Sequence, residues 1–193
     1  GGLERANVRA SVAADLLPTL NVLEAAAEAG VARVILPCSM EEPFPVADAA
    51  GELAVPETPY AMSKLVTGLY GRFFAARYGV PVAVLRCFLT YGPYQKAQKL
   101  IPYVIGCLAR GEAPRLSAGT RRIDWIYVED VIAAFLAAAT AAEPPRAVLE
   151  IGTGALLPIR EVVGRIHRLM GGPAPEFGAV AARGGERAAR MAQ

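Results

Sequence analysis

Residues 59–86 read PYAMSKLVTGLYGRFFAARYGVPVAVLR, and in this stretch a helical pattern passes directly into a strand pattern. Pro59 suits the first position of a helix, and Gly79 suits the position just after the end of one. The run at 81–86 is apolar, as expected for a strand that is buried on both faces. The stretch therefore predicts a helix from Pro59 to about Tyr78, followed by a buried strand.

The same alternation continues on both sides of this stretch. Upstream, residues 19–29 have helical spacing with Gly30 as a C-cap, and residues 31–36 (VARVIL) form a short apolar run. The further predicted elements are helices near 100–110, 130–140 and 158–170 and strands near 124–128 and 147–151. Strands separated by helices of this length indicate βαβ units, so we expect an α/β fold with a mainly parallel sheet.

Functional residues in a parallel sheet belong at the carboxyl ends of its strands. Two segments occupy such positions here. Cys38–Met40 follows the first predicted strand, and Leu89–Pro93 follows the second. Both segments are therefore candidate parts of a site.

Composition excludes several classes of protein. The 193 residues carry 20 Lys+Arg and 18 Asp+Glu, and 54% of them are hydrophobic. A net charge of +2 without a basic run predicts no nucleic-acid partner. The longest apolar stretch, Val131–Ala142, is shorter than the roughly 20 residues of a membrane span, and residues 1–10 lack the apolar core of a signal peptide. We therefore expect no membrane partner.

Cysteine and histidine usage gives two further expectations. Cys38, Cys87 and Cys107 are odd in number and widely spaced, which predicts no disulfide framework and favours the cytoplasm. His167 is the only histidine and has no cysteine near it in sequence, so we expect no metal site.

Tyr60 and Lys64 form the sharpest chemical motif. Their spacing of four places both side chains on one face of the predicted helix, one turn apart. A phenol has a pKa near 10, so a base at neutral pH needs that pKa lowered by about three units, or roughly 4 kcal/mol. A neighbouring cation such as Lys64 acts in that direction. The alternative interpretation is a solvated Lys beside a half-buried Tyr.

Ser39 is the second candidate, since it follows a buried strand and precedes Tyr60 by 21 residues. Its hydroxyl would bond the substrate oxygen that Tyr60 deprotonates, and the alternative is an ordinary loop serine. A serine nucleophile is not expected, because the chain contains no GxSxG motif and His167 is remote.

Together with three later motifs, these residues resemble a known family. The ordered motifs are Ser39, Tyr60-x-x-x-Lys64, Arg86–Pro93 (RCFLTYGP), Asp124–Asp130 (DWIYVED) and Ile151–Gly154 (IGTG). This order is similar to the extended short-chain dehydrogenases, the NAD-dependent epimerase/dehydratase enzymes that act on nucleotide sugars. The resemblance extends from about Asp15 to about Arg190.

The resemblance implies roles for individual residues. Tyr60 would be the catalytic acid/base, Lys64 would lower its pKa together with a cationic nicotinamide and hold the nicotinamide ribose, and Ser39 would bond the reacting sugar hydroxyl. Cys38, which we otherwise interpret as a small buried residue, would join Tyr60 and Lys64 around the NAD cofactor, with NADP as the alternative. The implied substrate contacts are Ser39, Leu89, Lys99, Leu100, Ile101, Leu116, Arg121 and Arg122.

The chain departs from the family at several of these positions. Leu89 stands where the family commonly has Asn, and Ile123 stands where it commonly has Arg directly before the Asp of the fourth motif. Arg122 is one step away, but one step along a strand reverses the face. The dehydratases of the family have acidic residues after the Ser/Thr, whereas here Met40 takes the first place and Glu41 and Glu42 follow. Glu remains a candidate base for water elimination.

No GxGxxG or GxxGxxG motif occurs in the sequence. The resemblance therefore implies a partial Rossmann-like, doubly wound parallel sheet. Residues 1–95 would be the remaining part of the dinucleotide-binding domain, without its first three strands. Residues 96–193 would be mainly a small C-terminal α/β substrate-binding region, with the strand and helix near 124–140 returning to the Rossmann-like core.

The resulting hypothesis is an NAD(P)-dependent epimerase that transiently oxidises a hydroxyl of a nucleotide sugar, as part of a longer enzyme. Within the class, a 4,6-dehydratase or a 4-reductase is the alternative. In another class, the chain is a non-catalytic remnant or binding module without a cofactor. The resemblance also implies a homodimer formed through helices 10–29 and 59–78.

Overall fold

The computed structural model describes residues 5–42, 55–143, 148–181 and 191–192. Contacts divide the chain into two compact units. The first unit consists of Gly1–Cys87 and Val131–Ile151, and the second consists of Phe88–Asp130 and Gly152–Gln193. The segment that follows Cys87 belongs to the second unit and pairs with a strand of that unit.

The first unit contains the elements expected of a βαβ arrangement. They are α1 (Arg5–Ser11), a π-helical turn (Val12–Leu16), α2 (Leu17–Ala29), β1 (Val34–Ser39), α3 (Pro59–Tyr78), β2 (Val82–Cys87), most of α5 (Val128–Thr140) and β6 (Leu149–Ile151). The predicted helix caps are confirmed: Gly30 and Gly79 both have positive φ, and Pro59 is the first residue of α3. Asp130 lies in the first turn of α5, which follows its preceding strand without a loop.

Strands of the first unit form a parallel sheet in the order β1-β2-β6. β1 begins three residues later than the apolar run 31–36 predicts, and it includes Pro37. The amides of Val34 and Met40 donate to carbonyls of β2 or of the residue just before it. Because successive residues of a strand direct their backbone amides to opposite edges, the nitrogen of Pro37 faces the edge of β1 away from β2. No strand pairs with that edge among the described residues, so proline costs no ladder bond there.

Helices cover both faces of this sheet. On one face, Leu23 of α2 and Phe74 of α3 belong to a buried cluster with the strand residues Leu36 and Val84. On the other face, Ala138 of α5 packs with Ala83 and Leu85 of β2. A parallel sheet with helices on both faces is the doubly wound arrangement, which confirms the predicted α/β fold class.

The second unit has a mixed architecture of short strands. Its elements are β3 (Leu89–Tyr91), α4 (Leu100–Ala109), β4 (Arg115–Leu116), β5 (Arg122–Tyr127), β7 (Leu156–Pro158), α6 (Ile159–Met170) and β8 (Glu176–Phe177). β3 pairs parallel and β7 antiparallel with β5, while β4 and β8 form a separate parallel pair. Its core lies between α4 and α6, around Val104 and Val163.

Within the described residues, no helix combines the length and the apolar character needed to cross a lipid bilayer.

Candidate active site

The start of α3 places the Tyr-Lys pair. Thr58 caps the helix, since its hydroxyl accepts a hydrogen bond from the Ala61 amide at 3.1 Å. Tyr60 follows in the first turn and is partly exposed, and Lys64 lies one turn further on. The Lys64 Nζ atom lies 5.8 Å from the centre of the Tyr60 ring. The spacing prediction that both side chains share a helix face is thereby confirmed.

Ser39 is the last residue of β1 and lies beside Tyr60. Its side chain is buried and hydrogen-bonds the Tyr60 hydroxyl. The Ser39 Oγ atom also accepts a hydrogen bond from the Glu41 amide at 3.2 Å. The structure thus brings together Ser39, Tyr60 and Lys64 within the first unit.

A buried ion cluster holds the turn after Ser39. The Glu42 carboxylate accepts from the Ser39 amide at 2.7 Å and pairs with the Arg86 guanidinium of β2 at 3.4 Å. Arg86 also pairs with Glu150 of β6 at 3.1 Å. All three side chains are at least nine-tenths buried, so these charges are paired away from solvent. The cluster ties the Ser39 turn to all three strands of the sheet.

Lys64 has an ion pair of its own. Its Nζ atom lies 2.9 Å from Oδ1 of Asp15, and both side chains are more than four-fifths buried. Burial lowers the pKa of Lys64, but the hydrogen bond and the charge of Asp15 outweigh burial and raise that pKa overall. Lys64 is therefore held as a cation.

The electrostatics of Tyr60 combine opposing effects. Burial raises its pKa, while the hydrogen bond from Ser39 and the charge of Lys64 lower it. Burial outweighs these two, and the net shift is upward. Ser39 and Lys64 thus act in the direction that a general base needs.

The cysteines near the site are thiols and not nucleophiles. Burial raises the pKa of Cys38, whose Sγ atom donates to the Lys64 carbonyl at 3.5 Å. Burial also raises the pKa of Cys87. All three cysteines are free. Among the described residues, no group of three or more His, Cys, Asp or Glu side chains is arranged to hold a metal ion.

The remaining predicted substrate residues lie in the second unit. Leu89 opens β3, Lys99 is the N-cap of α4, and Leu100 and Ile101 are in the first turn of that helix. The Leu116 side chain is buried in the core of the second unit.

Two arginines beside β5 complete this set. Arg121 immediately precedes β5, and its Nε atom is buried without a hydrogen-bond partner. Arg122 is exposed, and its guanidinium donates to the Leu156 carbonyl at 3.1 Å.

The fourth and fifth sequence motifs meet at Asp124, which is fully buried on β5. Its carboxylate accepts hydrogen bonds from the Thr153 amide and hydroxyl and from the Gly154 amide, at 2.6–2.9 Å. A side chain at Gly152 would place a Cβ atom 2.6 Å from this carboxylate. The Gly-Thr-Gly motif is therefore a structural loop closed around Asp124.

Sequence reasoning missed Asp15 and did not give Glu42 its observed role. Each makes its key contact with a residue far along the chain, which no spacing rule reveals. A signal was nevertheless present at Asp15, since it is the only charged residue in the otherwise apolar run from Val12 to Leu17.

Comparison with known proteins adds independent findings. A model of the NAD dependent epimerase/dehydratase family matches residues 4–152. The dTDP-glucose 4,6-dehydratase of Mycolicibacterium smegmatis is 38% identical over 76 residues, which are 39% of this chain and 23% of that protein. The match to the dTDP-glucose 4,6-dehydratase 1 of Escherichia coli has 41% identity over 76 residues, or 21% of that protein.

Solved structures also match nearly the whole chain. DesIV, a dTDP-glucose 4,6-dehydratase from Streptomyces venezuelae with NAD and TYD bound, has a TM-score of 0.82 and 26% identity over 100% of this chain and 62% of its own. The UDP-glucose 4-epimerase of Thermotoga maritima, solved with UDP-glucose, has a TM-score of 0.81 and 25% identity over 96% of this chain and 64% of its own. The chain thus spans less than two thirds of these relatives.

Proposed function

Because the chain belongs to the NAD dependent epimerase/dehydratase family, we propose that it acts on a nucleotide sugar as an NAD-dependent epimerase, with Tyr60 as acid/base. The observation that carries this proposal is the meeting of Ser39, Tyr60 and Lys64 in one compact unit. These are the three groups that a hydroxyl oxidation needs: a proton acceptor, a second contact to the same oxygen and a fixed cation.

The proton moves between the substrate oxygen and Tyr60. The Tyr60 Oη atom takes the proton of a sugar hydroxyl while Ser39 Oγ hydrogen-bonds the same oxygen, and it returns the proton when the keto group is reduced. Reduction on the opposite face of the sugar gives the epimer. Lys64 remains a cation throughout and favours the phenolate.

The donor set around Tyr60 fits the nicotinamide-ribose end of NAD. Lys64 has three N–H donors, and Asp15 takes one of them, so two remain for ribose hydroxyls. When bound, NAD supplies the acceptor for the hydride that leaves the sugar carbon. Cys38 would contact the cofactor only through its backbone, because its thiol is buried against α3. NADP remains the alternative cofactor.

The nucleotide end of the substrate is assigned to residues of the second unit. DesIV and the Thermotoga maritima epimerase were solved with TYD and UDP-glucose respectively, which supports a nucleotide-sugar substrate here. A guanidinium offers a fork of donors that suits a pyrophosphate. The proposed contacts are Leu89, Lys99, Leu100, Ile101, Arg121, Arg122 and the backbone of Leu116.

A 4,6-dehydratase is the second candidate, and Glu41 favours it. Glu41 is exposed, and its charge acts on Tyr60. Glu42, by contrast, is fully engaged by Ser39 and Arg86. Glu41 is therefore the carboxylate positioned to remove a proton for water elimination. The names of the Mycolicibacterium smegmatis and Escherichia coli relatives agree with this candidate.

The test compares variants of the full-length gene product with NAD and either UDP-glucose or dTDP-glucose. Tyr60→Phe is expected to lower turnover by about a hundredfold or more, because it removes the acid/base group. Tyr78→Phe is the matched control, since Tyr78 is an exposed tyrosine at the other end of α3. Unchanged turnover in Tyr60→Phe would contradict the proposal.

Product identity separates the candidate reactions. A sugar epimer supports the epimerase, and release of a 4-keto-6-deoxy sugar that requires Glu41 supports the dehydratase. Oxidation of a reduced nicotinamide cofactor when a keto sugar is supplied would indicate a 4-reductase. Binding of nucleotide sugar without any turnover would favour a non-catalytic binding module.

A further inference from the structure

The π-helical turn between α1 and α2 aims one carboxylate at the candidate active site. A π-helical turn is rare and occurs frequently at functional sites. Here the Leu17 amide donates to the Val12 carbonyl, five residues back. The Thr19 hydroxyl donates to the Asp15 carbonyl at 2.7 Å, which fixes the backbone of Asp15. The Asp15 side chain is left to point at α3.

This carboxylate meets the one lysine of the site. The Asp15–Lys64 pair, at 2.9 Å, is more than four-fifths buried, unlike the exposed pair of Arg110 and Glu112. Burial makes such a pair strongly interdependent, because either charge alone would lack a partner. The same Lys64 Nζ atom lies beside the Tyr60 ring, so Lys64 links Asp15 to the proposed acid/base.

We propose that Asp15 is a positioning residue for Lys64, whose carboxylate fixes the ammonium beside Tyr60 and offsets part of the positive charge that Tyr60 experiences. This role rests on the proposed function of Tyr60. Asp15 touches neither substrate nor cofactor and acts through Lys64. It sets how strongly the cation favours the phenolate, and so the pH at which Tyr60 becomes a base.

Several other charged or titratable groups act on this pair and have to be separated from Asp15. Glu41, from the turn after β1, raises the pKa of Tyr60, as Asp15 does. Cys38 of β1 and Cys87 of β2 lie near Lys64, and burial raises the pKa of both thiols, which keeps them neutral. The Asp15 and Glu41 charges therefore oppose that of Lys64.

The first test follows the charge of Lys64 directly and needs no turnover. The chain has three lysines, so the Nζ resonances of protein with isotopically labelled lysine are few, and Lys64→Arg identifies the relevant one. Asp15→Asn keeps the shape and removes the charge, and is expected to move the Lys64 titration to lower pH. Glu24→Gln, which removes an exposed carboxylate on α2, is the control. An unmoved Lys64 titration in Asp15→Asn would overturn the proposal.

Wild-type protein provides a measurement that does not depend on the folding of a variant. The Lys64 resonance is expected to titrate above the ordinary pKa of a lysine, because burial, which lowers that pKa, is outweighed by Asp15. A Lys64 resonance that titrates at or below the ordinary value would show that Asp15 does not act on Lys64, against the proposal.

The second test uses the pH profile of turnover by the full-length gene product with NAD and nucleotide sugar. Asp15→Asn is expected to move the acidic limb to lower pH, because a charge that raises the pKa of Tyr60 is gone. Asp15→Ala also removes the anchor of Lys64, and we expect it to lower turnover about tenfold. A lower rate with an unmoved limb would reduce Asp15 to a structural role. Absence of turnover in wild type would overturn the proposed function, while the lysine titration would still decide the pairing.

Discussion

At the scale of single residues, the site depends on charges that are paired inside the protein. Glu42 is only 2% exposed, and its carboxylate binds both the Ser39 amide and the Arg86 guanidinium. Such a cluster gives little net stability compared with an apolar core, but it fixes the position of its members. Here the member that matters is Ser39, whose hydroxyl contacts Tyr60.

Glu42→Gln is expected to destabilise the protein by about 3 kcal/mol, because it removes a charged partner from the buried Arg86 guanidinium. Urea unfolding measures the change. Glu112→Gln is the matched control: it also removes a carboxylate from an arginine, but that pair is exposed to solvent and contributes little. Equal stability of the two variants would show that the cluster does not hold the turn.

The residues that sequence predicted and those it missed differ in how far apart their partners lie. Tyr60 and Lys64 are four positions apart, and helix geometry alone brings them together. The partners Asp15 and Lys64, by contrast, are brought together only when the π-helical turn packs on α3. Local periodicity contains no information about such pairs, so they remain invisible until the fold is known.

At the scale of elements, the predicted helices agree closely with the structure because their ends carry explicit signals. α3 begins at the predicted proline and ends before the predicted glycine. Strand positions were less accurate, since an apolar run does not show which of its residues will pair. The short β3, β4, β7 and β8 lack a recognisable pattern altogether, because two or three residues cannot display a period.

Tight packing of α3 on the sheet gives an element-scale prediction. A Cβ atom at Gly71 would lie 2.5 Å from Leu36 Cδ1 and 3.1 Å from Val82 Cγ1. Gly71→Ala is therefore expected to destabilise the protein by about 1–3 kcal/mol through overpacking, despite the better helix propensity of alanine.

Gly106→Ala is the matched control, since Gly106 is also inside a helix. A Cβ atom there meets only the flexible guanidinium of Arg110, at 3.3 Å. This substitution is expected to be neutral or to stabilise by about 0.5–1 kcal/mol. Thermal or urea unfolding of both variants measures these changes in stability. A Gly71→Ala variant as stable as the wild type would show that α3 does not pack as closely as the structure indicates.

At the scale of the whole molecule, the alternating pattern predicted the fold class but not the division into units. Strands near 81–86 and 124–128 look alike in sequence, since both are short and largely apolar. The structure pairs the first with β1 and β6 and the second with β3 and β7. Which strands share a sheet is decided by contacts between distant segments, and a linear pattern does not report them.

An apolar stripe on α3 gives the prediction for assembly. Met62, Leu69, Tyr70 and Phe73 are spaced so as to share one helix face, and all four are exposed in the single chain. We expect this stripe to be covered by a second copy of the chain, as the proposed homodimer through helices 10–29 and 59–78 requires. In a two-fold dimer the same patch of both copies forms the interface, so every substitution on the stripe occurs twice in it.

The double variant Leu69→Glu with Phe73→Glu is therefore expected to be a monomer at concentrations where the wild type is a dimer, as measured by sedimentation equilibrium. The matched control is Ile132→Glu with Leu136→Glu, which charges two exposed apolar residues on α5. If the stripe on α3 forms the interface, the control remains dimeric, because like charges destabilise association only where they face each other. If the α3 variant remains a dimer and the α5 variant is a monomer, the interface lies on α5 and not on α3. A wild-type protein that is itself a monomer would rule out both interfaces.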